Sequence, residues 1–256
     1  MSQFIWSRTS PAVGRVEEGA AILPLSLQQV GYAVHGQVLL HNVSFVLKAG
    51  FSTFILGPNG AGKSLTLRLC HGLLQPSHGR IVWEGPGAAH AAIRQAMVFQ
   101  RPIMLRRSAA ANIEYALGLH RVPRAERPAR VHDALEQAGL LALAKRPAAV
   151  LSAGERQPLA LARAWALRPE VLFLDEPTSS LDPAAIHAVE EVIRIFRDHG
   201  TKIVMTTHDM GQARRLADEV LFLHHGHLLE RTPASEFFHC PRTPEAQAFI
   251  GGELLW

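Results

Sequence analysis

The segment that most constrains this chain is Gly57-Pro58-Asn59-Gly60-Ala61-Gly62-Lys63-Ser64, set between an apolar stretch and a helical one. Phe51–Leu56 is apolar apart from Ser52 and Thr53, as a strand covered on both faces should be. Leu65–Leu74 then reads as a helix. Glycines in such a loop let the backbone curl so that successive N–H groups point inward, toward phosphate oxygens. The following helix adds the positive end of its dipole. In this pattern Lys63 reaches the outer phosphates and the Ser64 hydroxyl takes a coordination position on Mg²⁺. Gly57 to Ser64, with Leu65 behind them, form the candidate phosphate-binding set.

A second acidic motif fits the first. Val171-Leu172-Phe173-Leu174 runs into Asp175 and Glu176, which places Asp175 at the carboxyl end of a buried strand. That is the edge where ligands bind in open α/β sheets. Asp175 is the candidate second Mg²⁺ residue and Glu176 the candidate general base for an attacking water. Taken in isolation, the pair also reads as a solvated turn before Pro177.

The order of elements gives the fold class. Strands are expected at Leu25–Val30, Val38–Leu47, Ala96–Phe99, Lys202–Thr206 and Glu219–Leu223, and helices at Pro183–Asp198 and Met210–Ala217. Strands alternating with helices imply a parallel sheet with helices packed on it. Residues 101–158 are rich in Ala, Leu and Arg, with prolines at segment edges, and read as an inserted helical subdomain. We therefore expect an α/β P-loop core of about residues 23–100 and 159–256, with an antiparallel β subdomain. Residues 1–22 mix Ser, Pro, Gly and charges without periodicity and are expected to form a flexible tail. His224, His225 and His227 straddle Gly226 and read as a hairpin turn rather than a metal site.

Composition narrows the function classes. Of 256 residues, 48% are hydrophobic and 19% charged, enough apolar matter for a core and too much for disorder. The net charge of +4 does not argue for a nucleic-acid partner. Two cysteines, Cys70 and Cys240, make no disulfide framework, so a reducing compartment is expected. No apolar run is long enough to span a bilayer and no secretory leader is evident. A soluble cytoplasmic protein is expected, acting at a membrane through partners.

Leu151-Ser152-Ala153-Gly154-Glu155-Arg156-Gln157 reads physically as a capped helix start whose unpaired N–H groups offer a place for an anion, and taken alone it also reads as an ordinary capped helix. It also resembles the signature of ABC transporter ATP-binding subunits, and from Leu25 to Arg231 the chain looks like that family. The resemblance implies ATP and Mg²⁺ as ligands, and a homodimer or pseudo-dimer whose Ser152, Ala153, Gly154 and Glu155 face the γ-phosphate held by the other subunit. It makes Ser179-Ser180-Leu181-Asp182 the turn that crosses the interface, with Asp182 its acidic member. Gln100 resembles the glutamine that contacts Mg²⁺ and the attacking water. His208 resembles the histidine that contacts the γ-phosphate and orients Glu176. Tyr32 sits where the family stacks an aromatic residue on adenine; a surface aromatic on a strand edge is the alternative. Ala153 and Pro158 depart from the family pattern, which usually has glycine and arginine there.

The resemblance further implies transmembrane permease subunits, a periplasmic binding protein acting indirectly, and a place on the inner face of the cell membrane. Ile103, Met104 and Leu105 are candidates for the groove that receives the permease, with a core role as the alternative. The short stretch after the last hairpin is expected to leave no room for the regulatory domain some importer ATPases carry, and the lack of a fused membrane domain is expected to favour a bacterial importer with separate ATPase, permease and binding protein. Val98 to Leu105, followed by Ser108 and Asn112-Ile113, resembles importers of inorganic oxyanions such as tungstate or phosphate. An ABC ATPase driving export, lipoprotein release or another membrane process is the alternative. A long coiled coil between Ser64 and Leu151 is excluded by the lack of heptads, and an Asn-Lys-x-Asp guanine reader is missing.

Overall fold

The computed structural model describes residues 21–253. Residues 1–20 of the expected tail lie outside that range. Its proposed last residue, Ile22, does not belong to a tail: it is fully buried, and its N–H donates to Glu170 Oε2 at 2.7 Å.

Two sheets form. The smaller is antiparallel, built from β1 (Leu25–Val34), β2 (Gln37–Leu47) and β4 (His78–Trp83) in the order β2-β1-β4. The larger contains β3 (Thr53–Leu56), β5 (Gln95–Val98), β6 (Val171–Asp175), β7 (Lys202–Thr206), β8 (Glu219–His224) and β9 (His227–Pro233). Its order is β5-β6-β7-β3-β8-β9, parallel except for the β8–β9 hairpin. The class is α/β, with the antiparallel subdomain and inserted helices expected from the sequence.

Alternation along the central strands sorts residues into two cores, because successive side chains in a strand point to opposite faces. Phe54, Leu56, Leu172, Leu174, Ile203, Met205, Val220 and Phe222 face one core. It is completed by α5 (Pro183–Asp198), α6 (Met210–Leu216), α7 (Ala234–His239) and α8 (Pro244–Gly251), and continues into the insert. Ile55, Phe173, Val204, Leu221 and Leu223 face the other, against α1 (Lys63–His71) and the antiparallel sheet. The insert holds α2 (Ala109–Leu119) and α3 (Arg127–Gln137), which pack on α4 (Ala153–Trp165). Helix α4 runs straight through the boundary expected at residue 158.

Several local expectations change. Phe51 lies outside its strand and is half exposed, its ring 5.7 Å from the Lys202 ammonium. Phe99 likewise falls beyond β5. Helix α1 starts at Lys63 rather than Leu65 and stops at Gly72, which takes a left-handed φ of 84° that favours glycine. Leu141–Leu143 form a separate 3₁₀ turn beyond the end of α3. The hairpin around Gly226 forms as expected. Cys70 is a buried core residue, its thiol pKa raised by burial.

Candidate functional site

The strand order decides what meets. β6, β7 and β3 are adjacent and parallel, so their carboxyl ends deliver Asp175, Thr206 and Gly57 to one sheet edge. The loop from Gly57 closes on α1 through Gly62, whose φ of 98° lies in the left-handed region. A Cβ at Gly57 would stand 2.0 Å from the Leu223 carbonyl oxygen, and one at Gly62 would stand 2.5 Å from Leu40 Cδ2. Both positions exclude larger residues. Asn59, Gly60, Ala61, Gly62, Lys63, Ser64, Leu65 and Glu176 line a cavity of about 280 Å³. Lys63 is buried and donates to the carbonyls of Gly57 and Pro58, at 2.8 and 3.0 Å. Burial lowers its pKa, opposed by the charges of Glu176 and Asp175.

Asp175 is divided between partners. Its Oδ1 accepts from the Ser64 hydroxyl at 2.7 Å and from the Thr206 hydroxyl at 2.9 Å. Its Oδ2 lies 3.5 Å from the Arg68 guanidinium, one helical turn beyond Ser64. Ser64 and Asp175 thus present hard oxygen donors at the edge of the phosphate cradle, a set that fits Mg²⁺. Glu176 follows at a left-handed φ of 45°, with its N–H donating to both the hydroxyl and the carbonyl of Thr206, at 3.0 and 3.1 Å. Two hydrogen bonds on one donor hold this strained residue in place. His208 Nδ1 stands 3.1 Å from Glu176 Oε2. Arg68 and Thr206 were not singled out from the sequence. Neither carried a usable signal: Thr206 lies opposite Asp175 only because β6 and β7 are neighbours, and Arg68 reaches Asp175 only because α1 packs beside β6.

The remaining candidates stand around this cavity. Gln100 is exposed and donates to Ser179 Oγ at 2.9 Å, tying its loop to the 179–182 turn. Tyr32 is half-buried and paired across from Leu40, so it shares a sheet face with the side chain that packs on Gly62. β1 is the central strand of its sheet, but its pairing with β4 ends at Gly31 and His78, one residue before Tyr32, so Tyr32 is paired on the β2 side alone and the strand-edge alternative stands.

Ser152 caps α4: its Oγ accepts from the Glu155 N–H at 3.2 Å, and Glu155 Oε2 accepts from the Ser152 N–H at 2.7 Å. Ala153, the first residue of α4, is not among the positive-φ residues, so its methyl group is tolerated. A Cβ on Gly154 would come within 3.2 Å of the Ala185 methyl and 3.9 Å of Asp182 Oδ2. Asp182 in turn caps α5 by accepting from the Ala185 N–H at 3.0 Å. Pro158 does not sit among the unpaired N–H groups of the first turn. It is the sixth residue of α4 and buried, so it removes one intrahelical bond. Of the proposed groove residues, Ile103 is 77% exposed while Met104 packs against the core.

A parallel sheet whose adjacent strand ends supply a glycine-rich phosphate loop, a carboxylate and a following glutamate defines a P-loop nucleoside triphosphatase. Comparison with known proteins is more specific. The family pattern described as "ABC transporter" matches residues 40–179, and the chain belongs to that family; it is an ATPase. It is 34% identical over 249 residues to the phosphate import ATP-binding protein PstB 2 of Natronomonas pharaonis, covering 91% of this chain and 88% of that one. It is 32% identical over 253 residues, with the same coverage, to the "Probable anion import ATP-binding protein" of Haloferax volcanii. The methionine import ATP-binding protein MetN of Caulobacter vibrioides is 36% identical over 229 residues, covering 86% of this chain and 69% of that one. Among solved structures, an ATP-binding subunit of an ABC transporter superposes with a TM-score of 0.77 at 25% identity, covering 90% of this chain and 99% of that one. Among the described residues no helix is long and apolar enough to cross a membrane.

Proposed function

We propose that this chain is the ATP-hydrolysing subunit of an importer for an inorganic oxyanion, tungstate or phosphate. It works as a homodimer or pseudo-dimer beneath transmembrane permease subunits, peripheral on the inner face of the cell membrane. A periplasmic binding protein delivers the cargo on the far side. The observation that carries the reading is the meeting of Ser64, Asp175, Glu176 and His208 at the mouth of the Asn59–Leu65 cradle.

In this reading the loop N–H groups and Lys63 hold the phosphates of ATP, and Tyr32 stacks on the adenine. Ser64 and Asp175 would hold Mg²⁺ with Gln100 beside them; the ion supplies charge neutralisation at the phosphates. Glu176 takes the proton of the attacking water, and His208 holds its carboxylate in place. Ser152, Ala153, Gly154 and Glu155 of one subunit, with Asp182 nearby, complete the site of the other by presenting the start of α4 to the γ-phosphate. Closure by two ATP molecules and its release on hydrolysis drive the permease, whose contact includes the exposed Ile103.

Support for an oxyanion cargo is the match along nearly the whole chain to relatives named for phosphate and anion import. The purified protein should release phosphate from ATP in a Mg²⁺-dependent way, and Glu176→Gln should abolish turnover while ATP still binds. Unchanged turnover in Glu176→Gln would refute the assigned base. The cargo is tested by co-purification with a polytopic permease and by uptake of labelled tungstate and phosphate in cells with and without this chain. Loss of methionine uptake alone would overturn the oxyanion assignment.

A further inference from the structure

Behind the site lies a buried polar chain that the reaction outlined above does not use. Glu190 of α5 is 2% exposed and faces α6. Its Oε1 accepts from Arg215 Nη2 at 2.6 Å and from Gln212 Nε2 at 3.3 Å. Its Oε2 accepts from Arg215 Nε at 3.2 Å and Arg194 Nη2 at 3.4 Å. Gln212 is fully buried, and its Oε1 accepts from the hydroxyl of Thr178 at 3.1 Å. The backbone at the ends of this chain belongs to the site. Gln212 N–H donates to Asp209, the residue after His208. Thr178 stands between Glu176 and Ser179, and Ser179 accepts from Gln100.

We propose that Thr178, Gln212 and Glu190 are positioning residues that hold the 179–182 turn and the Glu176–His208 pair as one unit. A buried carboxylate shared by two guanidiniums is a rigid anchor, since every one of its contacts is lost together if it moves. Gln212 extends that anchor through a hydrogen bond to the segment carrying the base. Movement of the 179–182 turn on closure of the dimer is then felt at Glu176 and His208 without any contact between the turn and the phosphates. The inference rests on the proposed function above, because it presumes a hydrolytic site completed by a second subunit.

The test is Thr178→Val, which keeps shape and removes the donor. Wild-type phosphate release is measured first; its absence would overturn the proposed function and this inference with it, whereas its presence makes the variants a test of the inference alone. With wild-type turnover in hand, Thr178→Val should lower kcat about tenfold, since one directed hydrogen bond is at stake, while KM for ATP stays within about twofold. Thr178→Ser, which restores the hydroxyl, should recover kcat. A folded Thr178→Val protein with unchanged kcat overturns the proposal, as does a rise in KM equal to the fall in kcat, or failure of serine to rescue. Should the valine variant not fold, Glu190→Gln is read by the same criteria.

Discussion

At the edge of the large sheet opposite the phosphate loop, Lys202 begins β7 with its side chain almost wholly buried. Its ammonium donates to Thr53 Oγ1 at 2.7 Å and faces the Phe51 ring. Burial lowers its pKa from 10.5 to about 8; Glu219 and Asp218 oppose this, and Arg231 adds to it. The unfolded chain therefore binds the proton more tightly than the folded one, so stability rises with pH between about 8 and 10.5. Below pH 8 both states are protonated and the folded state carries the full cost, roughly 3 kcal/mol.

Lys202→Met removes that cost and orphans nothing nearby, because Thr53 Oγ1 still donates to Glu219 and Glu219 still pairs with Arg231. Subtracting about 1 kcal/mol for the lost aromatic contact leaves a gain near 2 kcal/mol at pH 7. For a chain of this size that is a Tm increase of about 4–8 °C. The assay is paired thermal melts of wild type and variant at pH 7 and at pH 10.5. The difference curve cancels contributions shared by both, including that of the buried Cys70. The gain should shrink to below about 1 kcal/mol at pH 10.5, where folded Lys202 is already neutral. An equal Tm difference at both pH values would refute the reasoning, as would a variant less stable at pH 7.

Two further substitutions test how the ends of the chain support the site. Gly226 takes a φ of 76°, donates to Ala61 of the phosphate loop, and has no room for a Cβ, which would stand 2.4 Å from the Leu39 carbonyl. Gly226→Ala should cost about 2–4 kcal/mol in denaturant unfolding and raise KM for ATP more than it lowers kcat, because the hairpin braces the cradle. Wild-type stability in this variant would show that the hairpin is free to shift. Thr243 caps α8 and donates through both its N–H and its hydroxyl to the buried Glu230. Thr243→Val should cost about 2–3 kcal/mol and leave kcat unchanged, and a drop in kcat would place α8 in the catalytic cycle.

What was legible in the sequence was the part set by short-range chemistry. β6, α5 and β7 fall residue for residue where the sequence pattern places them, and Asp182 caps α5 in the structure. The cradle and its acidic neighbours were legible because phosphate binding needs fixed residue types at fixed spacing. β4 was not, since His78–Trp83 is largely exposed and alternates too weakly to declare a strand; pairing with β1 makes it one. α7 and α8 were missed as well, because each is short and takes its stability from the sheet face and from Glu230. Arg68, Thr206 and the Glu190 chain were invisible for a related reason. They depend on which strands and helices become neighbours, and sequence distance says nothing of that.

The two groups of site residues are each rigid before they meet. Lys63, Ser64 and Asp175 are cross-linked by side-chain hydrogen bonds around the cradle, and Ser152 and Glu155 cap each other at the start of α4. In this protomer the second group packs toward Asp182 and Ala185, while the cavity wall is made by Asn59–Leu65 and Glu176. In the proposed dimer, joining them is a rigid-body problem, solved by a second copy rather than by refolding. Preformed partners lose little conformational entropy on closing, so the affinity of ATP for the closed dimer can go into transition-state contacts. Disturbing the Ser152–Glu155 box is then expected to weaken dimer closure before it alters the binding of ATP to one protomer.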